Sequence, residues 1–269
     1  MKATRPLAAV AALATVSLLL TGCAQVHSGS AQRADGYDAN TVNPALLDTG
    51  NYPTKPRDPL GPAGNFDVGR VLEAHRVADY TLLPFQADPT LNKADETTGR
   101  DPDPPVVIRN EASLAYLLGN EIGIEPAANH HRFVSGFKVA AANGDFDHAD
   151  RKLSITVGVF ATAAEATSAT SAITDAANPA VDYKNRPYPT TAVTIPHHPE
   201  TRAWVHAQTR TGKPDWHIVQ AFTARGPFLL ALGASTTDPA ASAELIATAL
   251  DQQSPLIDAF TPTPYGQLE

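Results

Sequence analysis

Cysteine and methionine are almost absent from this sequence. Its 269 residues include one cysteine, Cys23, and one methionine, Met1. A lone cysteine excludes intrachain disulfides, and its position near the N-terminus leaves the rest of the chain without a cysteine nucleophile or a thiolate metal ligand. The composition therefore removes thiol chemistry from the candidate functions of any folded domain.

Basic residues are also scarce. Lysine and arginine number 20 against 28 aspartate and glutamate residues, and the formal net charge is −8 at pH 7. An acidic surface repels phosphates, so neither nucleic-acid binding nor a polybasic contact with anionic lipid is expected. With 43% hydrophobic and 18% charged residues, the chain has the composition of a globular protein with one substantial core.

Motifs of the common hydrolases are missing. The sequence has no Gly-x-Ser-x-Gly segment, which a nucleophile-elbow hydrolase requires. Ser135-Gly-Phe-Lys138 matches the Ser-x-x-Lys pattern of penicillin-recognising enzymes, but that reaction needs serine and lysine one helical turn apart. The segment is predicted to be a strand, in which positions i and i+3 point to opposite faces. We therefore predict no catalytic residue, no cofactor and no enzymatic activity.

The N-terminus has the pattern of an export signal. Lys2 and Arg5 precede an apolar run from Leu7 to Leu20, which is shorter than the roughly 20 residues that a membrane-spanning helix needs. Leu20-Thr-Gly-Cys23 resembles the lipobox of bacterial lipoproteins, whose cysteine is acylated before cleavage. We expect residues 1–22 to be a signal peptide and Cys23 to carry lipid, including palmitate, that anchors the protein to the extracytoplasmic face of the cell membrane.

The segment that follows Cys23 is predicted to be a tether. Residues 24 to about 43 are small and polar, and Leu47 to Pro62 is rich in proline, which disfavours helix at and before each proline. The expected organisation is a lipidated cysteine, flexible tether and proline-rich lead-in over residues 23–64, an α+β globular domain over 65–260 and a C-terminal tail over 261–269.

Helices are predicted from caps and periodicity. The first spans Val68 to Tyr80 with Asp67 as its cap, and Pro84 ends that region. Another starts at Asn110 and stops at Gly119, in agreement with the usual cap residues. A third helix starts after Thr162, where Glu165 completes a capping box, and ends near Asn178-Pro179. A fourth starts at Asp238-Pro239 and ends at Ser254-Pro255.

Strands are predicted at Val106 to Ile108, in two hairpins, and in one continuously apolar run. The hairpins pair Phe133 to Ala142 with Leu153 to Phe160, and Ala203 to Gln208 with Trp216 to Thr223; the apolar run, Phe228 to Ala234, is predicted to be a central strand. The order of elements predicts an α+β fold, with helices packed over one face of an antiparallel sheet.

Several clusters could in principle bind a metal. Asp145, Asp147, His148 and Asp150 share the first hairpin loop, His130-His131 and His197-His198 are adjacent pairs, and His75 stands four residues before Asp79. The loop spacing matches no calcium-binding loop that we can justify, and neighbouring residues on a strand face opposite ways. We interpret these residues as a solvated loop tip and as surface or structural histidines, and we predict no metal site.

Trp204 and Trp216 are the candidate ligand-binding residues. They lie on the two strands of the second predicted hairpin, on the faces that also carry His206 and Gln220. They could form an aromatic platform for a ligand. The alternative is a cross-strand pair that buries apolar area.

Several segments resemble a family of uncharacterised envelope lipoproteins of actinobacteria. They are Leu20 to Cys23, Leu47 to Arg57, Glu73 to Asp79 leading to Leu83-Pro84 and Asp88-Pro89, and Phe260-Thr-Pro-Thr-Pro264. The resemblance covers most of the mature chain and implies a fold and a location but no catalytic residue. Similar proteins generally continue into a second domain. Trp216 to Leu250 is also similar to secreted sensor-like domains of the same bacteria, without their usual cysteines.

Two functions remain. The first is a non-catalytic binding or accessory lipoprotein for an envelope lipid, glycan or protein, which fits the expected anchor and tether. The alternative is an envelope hydrolase or a metal-dependent enzyme, which would require His75, the Asp145 cluster or Ser135 to converge on one pocket.

Overall fold

The computed structural model describes residues 61–94, 105–119, 121–144, 149–179 and 186–268. The chain divides after Asp58, and every described residue belongs to the second unit, Pro59–Glu269. The expected signal peptide, Cys23 and the tether up to residue 60 lie outside the described residues. None of the helices in the described ranges has the length and apolar character needed to cross a bilayer.

An antiparallel sheet forms the centre of the domain. Its strands in the described residues are β1 (Lys93–Ala94), β2 (Val106–Ile108), β3 (Phe133–Ala142), β4 (Lys152–Phe160), β5 (Thr191–Val193), β6 (Arg202–Gln208), β7 (Trp216–Arg225) and β8 (Phe228–Thr236). They are ordered β1-β3-β4-β8-β7-β6-β5, and β2 pairs with β3 on the same side as β1, at a different part of that strand. Both predicted hairpins, β3–β4 and β6–β7, are confirmed.

The prediction of a central apolar strand is also confirmed. β8 lies between β4 and β7, so both of its edges are hydrogen-bonded. Leu229 and Leu230 point to opposite faces of the sheet and both are fully buried. A strand that is covered on both faces has no polar alternation, which is why its sequence is a continuous apolar run.

Helices surround this sheet. They are α1 (Phe66–Ala78), α2 (Pro84–Ala87), α3 (Glu111–Leu118), α4 (Glu121–His130), α5 (Ala163–Ala177) and α6 (Pro239–Asp258), with a short 3-10 helix at Tyr265–Gln267. The predicted α+β class with an antiparallel sheet is confirmed.

The helices pack on both faces of the sheet, not on one as the sequence had suggested. The first face, which carries Ile155 and Leu230, packs against α1 and α6. The second face, which carries Phe160 and Leu229, packs against α3, α4 and α5. Because β4 and β8 bear apolar residues on both sides, a single helical layer would leave one side of the core exposed to water.

Most predicted caps form. Asn110 Oδ1 accepts from the backbone nitrogen of Ser113 at 2.8 Å, and Thr162 Oγ1 accepts from that of Glu165 at 3.2 Å. Gly119 ends α3 with a φ of 85°, in the left-handed region that glycine adopts without strain.

Three helix boundaries differ from the prediction. Asn65, not Asp67, caps α1, because its Oδ1 accepts from the backbone nitrogen of Val68 at 2.9 Å. Pro84 begins a short helix, since proline is tolerated at a first helical position. Pro255 does not end α6: the buried Ile257 and Phe260 extend the packing beyond it, and the helix runs to Asp258.

Candidate ligand-binding site

The Ser-x-x-Lys segment lies on β3, and its two polar residues lie on opposite faces, as predicted. Ser135 pairs with Val159, and Lys138 pairs with Thr156. Ser135 is fully buried, and its hydroxyl has no hydrogen-bond partner in the described residues. Lys138 Nζ instead donates to the backbone oxygen of Leu117 at 3.0 Å. This serine and this lysine therefore do not form a catalytic pair.

The acidic loop of the first hairpin is described only in part. Asp145, Asp147 and His148 lie outside the described residues. Asp150 is exposed, and its backbone nitrogen donates to Asn143 Oδ1 at 3.1 Å. The solvated loop tip therefore stays a prediction.

The first histidine candidates lie near the helix ends. His75 and Asp79 are both exposed near the C-terminus of α1. His130 is the last residue of α4, and its ring meets the ring of His131 edge to face at 4.9 Å between centroids. His130 is thus helical, because α4 extends up to it, and the strand geometry assumed for this pair was wrong.

The second histidine pair stands between β5 and β6. His198 Nε2 lies 3.1 Å from Asp251 Oδ1, and Nδ1 lies 3.4 Å from Glu200 Oε1. Both carboxylates are exposed. In the described part of the chain, no three histidine, aspartate, glutamate or cysteine side chains are placed to hold a metal ion together.

Trp204 and Trp216 lie on one face of the second hairpin but do not face each other. Trp204 pairs with Gln220, and Trp216 pairs with Gln208. The interpretation as a direct cross-strand pair is therefore wrong, because the register places another residue pair between them. Trp204 stacks on Phe222 at 5.3 Å between ring centroids, with an angle of 11° between the planes. Both indoles are buried, with 3% and 6% exposure.

Trp204 fixes the orientation of Gln220. Its Nε1 donates to Gln220 Oε1 at 3.1 Å. An indole nitrogen can only donate, so the glutamine atom that faces it must be the oxygen. The amide nitrogen of Gln220 consequently remains as a donor with a defined direction.

A polar recess opens beside Gln220 on the second face. Its polar side chains are Lys138 from β3, Ser154 and Thr156 from β4, and Gln220 from β7, with Gly233 of β8 between them. The volume is about 50 Å³, enough for one functional group of a ligand but not for a whole drug-sized molecule. Amine, hydroxyl and amide groups together suit a hydroxyl, carbonyl or carboxylate oxygen.

His206 lies next to this region on β6. It is 7% exposed, and its ring stacks on Tyr188 at 4.8 Å between centroids. Nδ1 has no hydrogen-bond partner in the described residues. Burial lowers the pKa of His206 below its ordinary value of 6.5, because desolvation disfavours the charged imidazolium. The ring is therefore neutral at physiological pH.

The sequence prediction did not single out Ser154 and Thr156. One signal could have found them: in β4, Lys152, Ser154 and Thr156 alternate with Leu153 and Ile155. Polar residues at every second position of a strand that neighbours a fully apolar strand indicate a polar row inside the fold.

A larger cavity of about 360 Å³ lies between α1 and the C-terminal segment. Its polar groups bind one another. Glu73 Oε1 accepts from the backbone nitrogen of Thr263 at 2.8 Å, and Glu73 Oε2 accepts from Arg76 Nη1 at 2.6 Å. This arrangement holds the C-terminal segment on α1, and we assign the polar recess, not this cavity, as the candidate site.

The fold and the recess define a small α+β domain with a polar site on its sheet and no described catalytic constellation. The chain belongs to the family described as domain of unknown function DUF7373, N-terminal, whose model matches residues 60–269. No curated protein sequence is significantly similar to the chain. Among solved structures, it is similar to the crystal structure of the extracellular domain of PknH from Mycobacterium tuberculosis, with a TM-score of 0.47 and 13% identity, over 68% of this chain and 96% of that chain.

Proposed function

We propose that the protein is an extracytoplasmic lipoprotein, anchored through lipid on Cys23, that binds an envelope lipid, glycan or protein without transforming it. The observation that carries the binding role is the polar recess, in which Trp204 holds Gln220 in one orientation. A preoriented donor beside an amine and two hydroxyls can recognise one oxygen-bearing group of a larger ligand. The anchor rests on the sequence around Cys23.

The elements around the recess support binding more than catalysis. Lys138 donates to a backbone carbonyl, and Ser154 Oγ lies 3.4 Å from the backbone oxygen of Gly233. A nucleophile needs a base within hydrogen-bond reach, and the described contacts of Ser154 give it a carbonyl oxygen instead. These contacts support a role in hydrogen bonding to a ligand over a role in nucleophilic catalysis.

A substitution that fills the recess tests the binding role. Ser154→Leu places a larger side chain over Gly233 in a space of about 50 Å³, whereas Thr191→Leu makes a similar change on the exposed edge strand β5. Native mass spectrometry of each variant, purified from its own membranes, should reveal a bound species on the wild type and on Thr191→Leu but not on Ser154→Leu. Equal loading of all three proteins would contradict the proposal.

The anchor has a separate test. Cys23→Ala removes the thiol that would carry lipid. The variant should leave the detergent phase in a Triton partition assay, or accumulate as an unprocessed precursor, because single-chain or unlipidated proteins do not anchor stably. Full partition of Cys23→Ala into detergent would exclude Cys23 as the anchor.

A further inference from the structure

We propose, on the basis of the binding function above, that the polar recess takes the hydroxyl groups of a sugar. The ligand is then a glycan or the sugar headgroup of a lipid, and a peptide is excluded. Three features of the recess carry this choice: the glycine at its floor, the fixed direction of its hydrogen-bonding groups, and its size.

Gly233 forms the floor of the recess, and its own strand does not require a glycine. The pairing of β8 with β4 and β7 runs past it without a register shift, so it does not mark a bulge. A Cβ atom on Gly233 would lie 2.8 Å from Ser154 Oγ and, its chain neighbours apart, within 4 Å of no other described heavy atom. On Gly136, by contrast, it would lie 2.5 Å from the backbone oxygen of Val157. Glycine weakens a strand and often marks the close approach of a ligand.

Ser154 and Gln220 flank this floor from opposite sides, because both pair with Gly233 in the sheet. The Ser154 hydroxyl donates to the backbone oxygen of Gly233 at 3.4 Å, which uses its one proton and leaves its lone pairs as acceptors. Gln220 Oε1 accepts from Trp204, which leaves Nε2 as the donor. The recess therefore has an acceptor on one side and a donor on the other.

A hydroxyl group satisfies both sides with a single oxygen atom, because it donates and accepts. A carboxylate only accepts and would face the lone pairs of Ser154, and an acyl chain would leave both sides unpaired. The recess has a volume of about 50 Å³, and one water needs roughly 10–15 Å³ of cavity. It therefore admits one or two hydroxyl groups, the arrangement that neighbouring carbons of a sugar ring present.

The remaining lining residues fit a sugar without supplying a free charge. Lys138 Nζ donates to the backbone oxygen of Leu117 at 3.0 Å and has a further interaction in the fold, so its charge is not counted as available to a ligand. Leu117, Leu118 and Phe222 form apolar walls, which suit the C–H groups of a sugar ring.

Indole NMR of the full chain, in a detergent without a sugar headgroup, tests the ligand class. The chain has two tryptophans, and Trp216→Phe assigns their signals. Because Trp204 donates to Gln220, a ligand on Gln220 should move the Trp204 signal. The probes are the methyl glycosides of glucose, mannose and galactose, each titrated alone. At least one should move the Trp204 signal saturably and leave the Trp216 signal in place; no response to all three would overturn the proposal.

Two further probes represent the other ligand classes. N-acetylglycinamide presents the amide groups of a peptide, and sodium acetate presents a carboxylate. Neither should move the Trp204 signal at concentrations at which a sugar saturates it. A response to either probe and none to the sugars would overturn the sugar class but leave the recess as a binding site. Equal loading of the wild type and Ser154→Leu in native mass spectrometry would instead overturn the binding function itself.

Gly233→Ala separates a ligand role of the glycine from a structural one. The added methyl group occupies the floor and displaces the Ser154 hydroxyl, so sugar affinity should fall about tenfold or more. The melting temperature should stay the same or rise, because alanine is more favourable than glycine inside a strand. Retained affinity, or lost affinity together with a lower melting temperature, would contradict this role of Gly233.

A second variant changes only the acceptor. Ser154→Ala should weaken sugar binding about tenfold, whereas Ser171→Ala, which removes a hydroxyl from the exposed surface of α5, should change it less than about twofold. Equal effects of the two substitutions would also overturn the proposal. Far-ultraviolet circular dichroism of both variants shows whether each remains folded.

Vesicles identify the source of the sugar. Phosphatidylcholine vesicles that contain diglucosyl diacylglycerol, with pure phosphatidylcholine vesicles as a reference, present the sugar as a lipid headgroup. Movement of the Trp204 signal by the glycolipid vesicles alone would support a headgroup as the ligand. A response to the dissolved methyl glycosides and none to the vesicles would support a glycan.

Discussion

The two faces of the sheet are built from the same strands but have different chemistry. On β4, Leu153, Ile155 and Val157 point to the first face and are fully buried. On the second face, the same strand presents Lys152 and Ser154, among polar groups from its neighbours. One face thus resembles an ordinary apolar core, and the other combines an apolar cluster packed against helices with a group of polar side chains. The comparison separates the residues that hold the domain together from those available to a ligand.

Trp204 gives the largest expected effect and shows whether the second face is also a core. Its indole is 3% exposed and stacks on Phe222. Trp204→Ala should lower the free energy of unfolding by about 3–5 kcal/mol, measured by urea denaturation. A stable Trp204→Ala variant that no longer binds its ligand would instead make Trp204 a recognition residue, as in the platform interpretation.

Leu230 gives the corresponding measurement for the first face. It is fully buried on the central strand, between Val157 and Thr223 in the sheet. Leu230→Ala should lower the free energy of unfolding by about 2–5 kcal/mol, because it loses transfer free energy and leaves a cavity. Leu83→Ala, at a 37% exposed site, serves as the control, and equal losses in the two variants would contradict the assigned core.

Gln253 is a polar exception on the first face. It is fully buried on α6, where Oε1 accepts from the nitrogen of Leu82 and Nε2 donates to the oxygen of Tyr80, both at 2.8 Å. Gln253→Leu keeps the volume but leaves two backbone groups unpaired, so unfolding should require about 1–3 kcal/mol less. Gln252→Leu, one position along the helix, should change stability by less than half of that amount.

His206 gives the smallest expected effect, a change in pH dependence. Burial lowers the pKa of His206 in the folded protein below the ordinary value of 6.5 that applies to the unfolded chain. At a pH between these two pKa values, the histidine is protonated in the unfolded chain but not in the folded protein. Stability is therefore full above about pH 6.5 and is lost as pH falls through the folded pKa. The slope of unfolding free energy between pH 7 and 5 should be shallower in His206→Phe.

His75→Phe is the control for this measurement, because His75 is exposed on α1. It should keep the slope of the wild-type protein. An unchanged slope in His206→Phe would mean that other groups set the acid sensitivity of the domain.

The parts of the fold that sequence predicts well depend on local chemistry. β3 has the predicted bounds, Phe133–Ala142, and α5 begins at the Thr162 cap. In both cases the deciding signals, strand-forming side chains or a cap with its partner three residues later, stand within a few positions of one another. The central position of β8 was also predictable from its sequence, because a continuous apolar run is typical of a strand that is covered on both faces.

The elements that sequence missed depend on distant contacts. α4 contains Gly123 and Pro126, which both disfavour helix, yet Ile124 and Ala128 are fully buried in the cluster that includes α3 and α5. The two-residue β1 and three-residue β5 are too short for a pattern and form only by pairing with β3 and β6.

The candidate sites were predictable to a smaller extent. Trp204 and Trp216 stood out because tryptophan is rare in the chain, but their separate surroundings follow from the strand register. The contacts of Trp216 with Lys152 and Arg210 join residues from two strands and a turn. The local sequence around each of these three residues does not predict its contact with the other two.

The hydrogen bonds of Glu73 to Thr263 connect positions that are 190 residues apart. A Cβ atom on Gly69 would lie 1.6 Å from the backbone oxygen of Leu268, so the last described residue packs directly on the backbone of α1. At a synthesis rate of about 5–20 residues per second, α1 leaves the ribosome roughly 10–40 s before its partner segment exists. Buried Glu73 acquires its described acceptor contacts with Thr263 only when the last described residues have been made, so the first of the described helices to be synthesised is among the last parts of the domain to be completed.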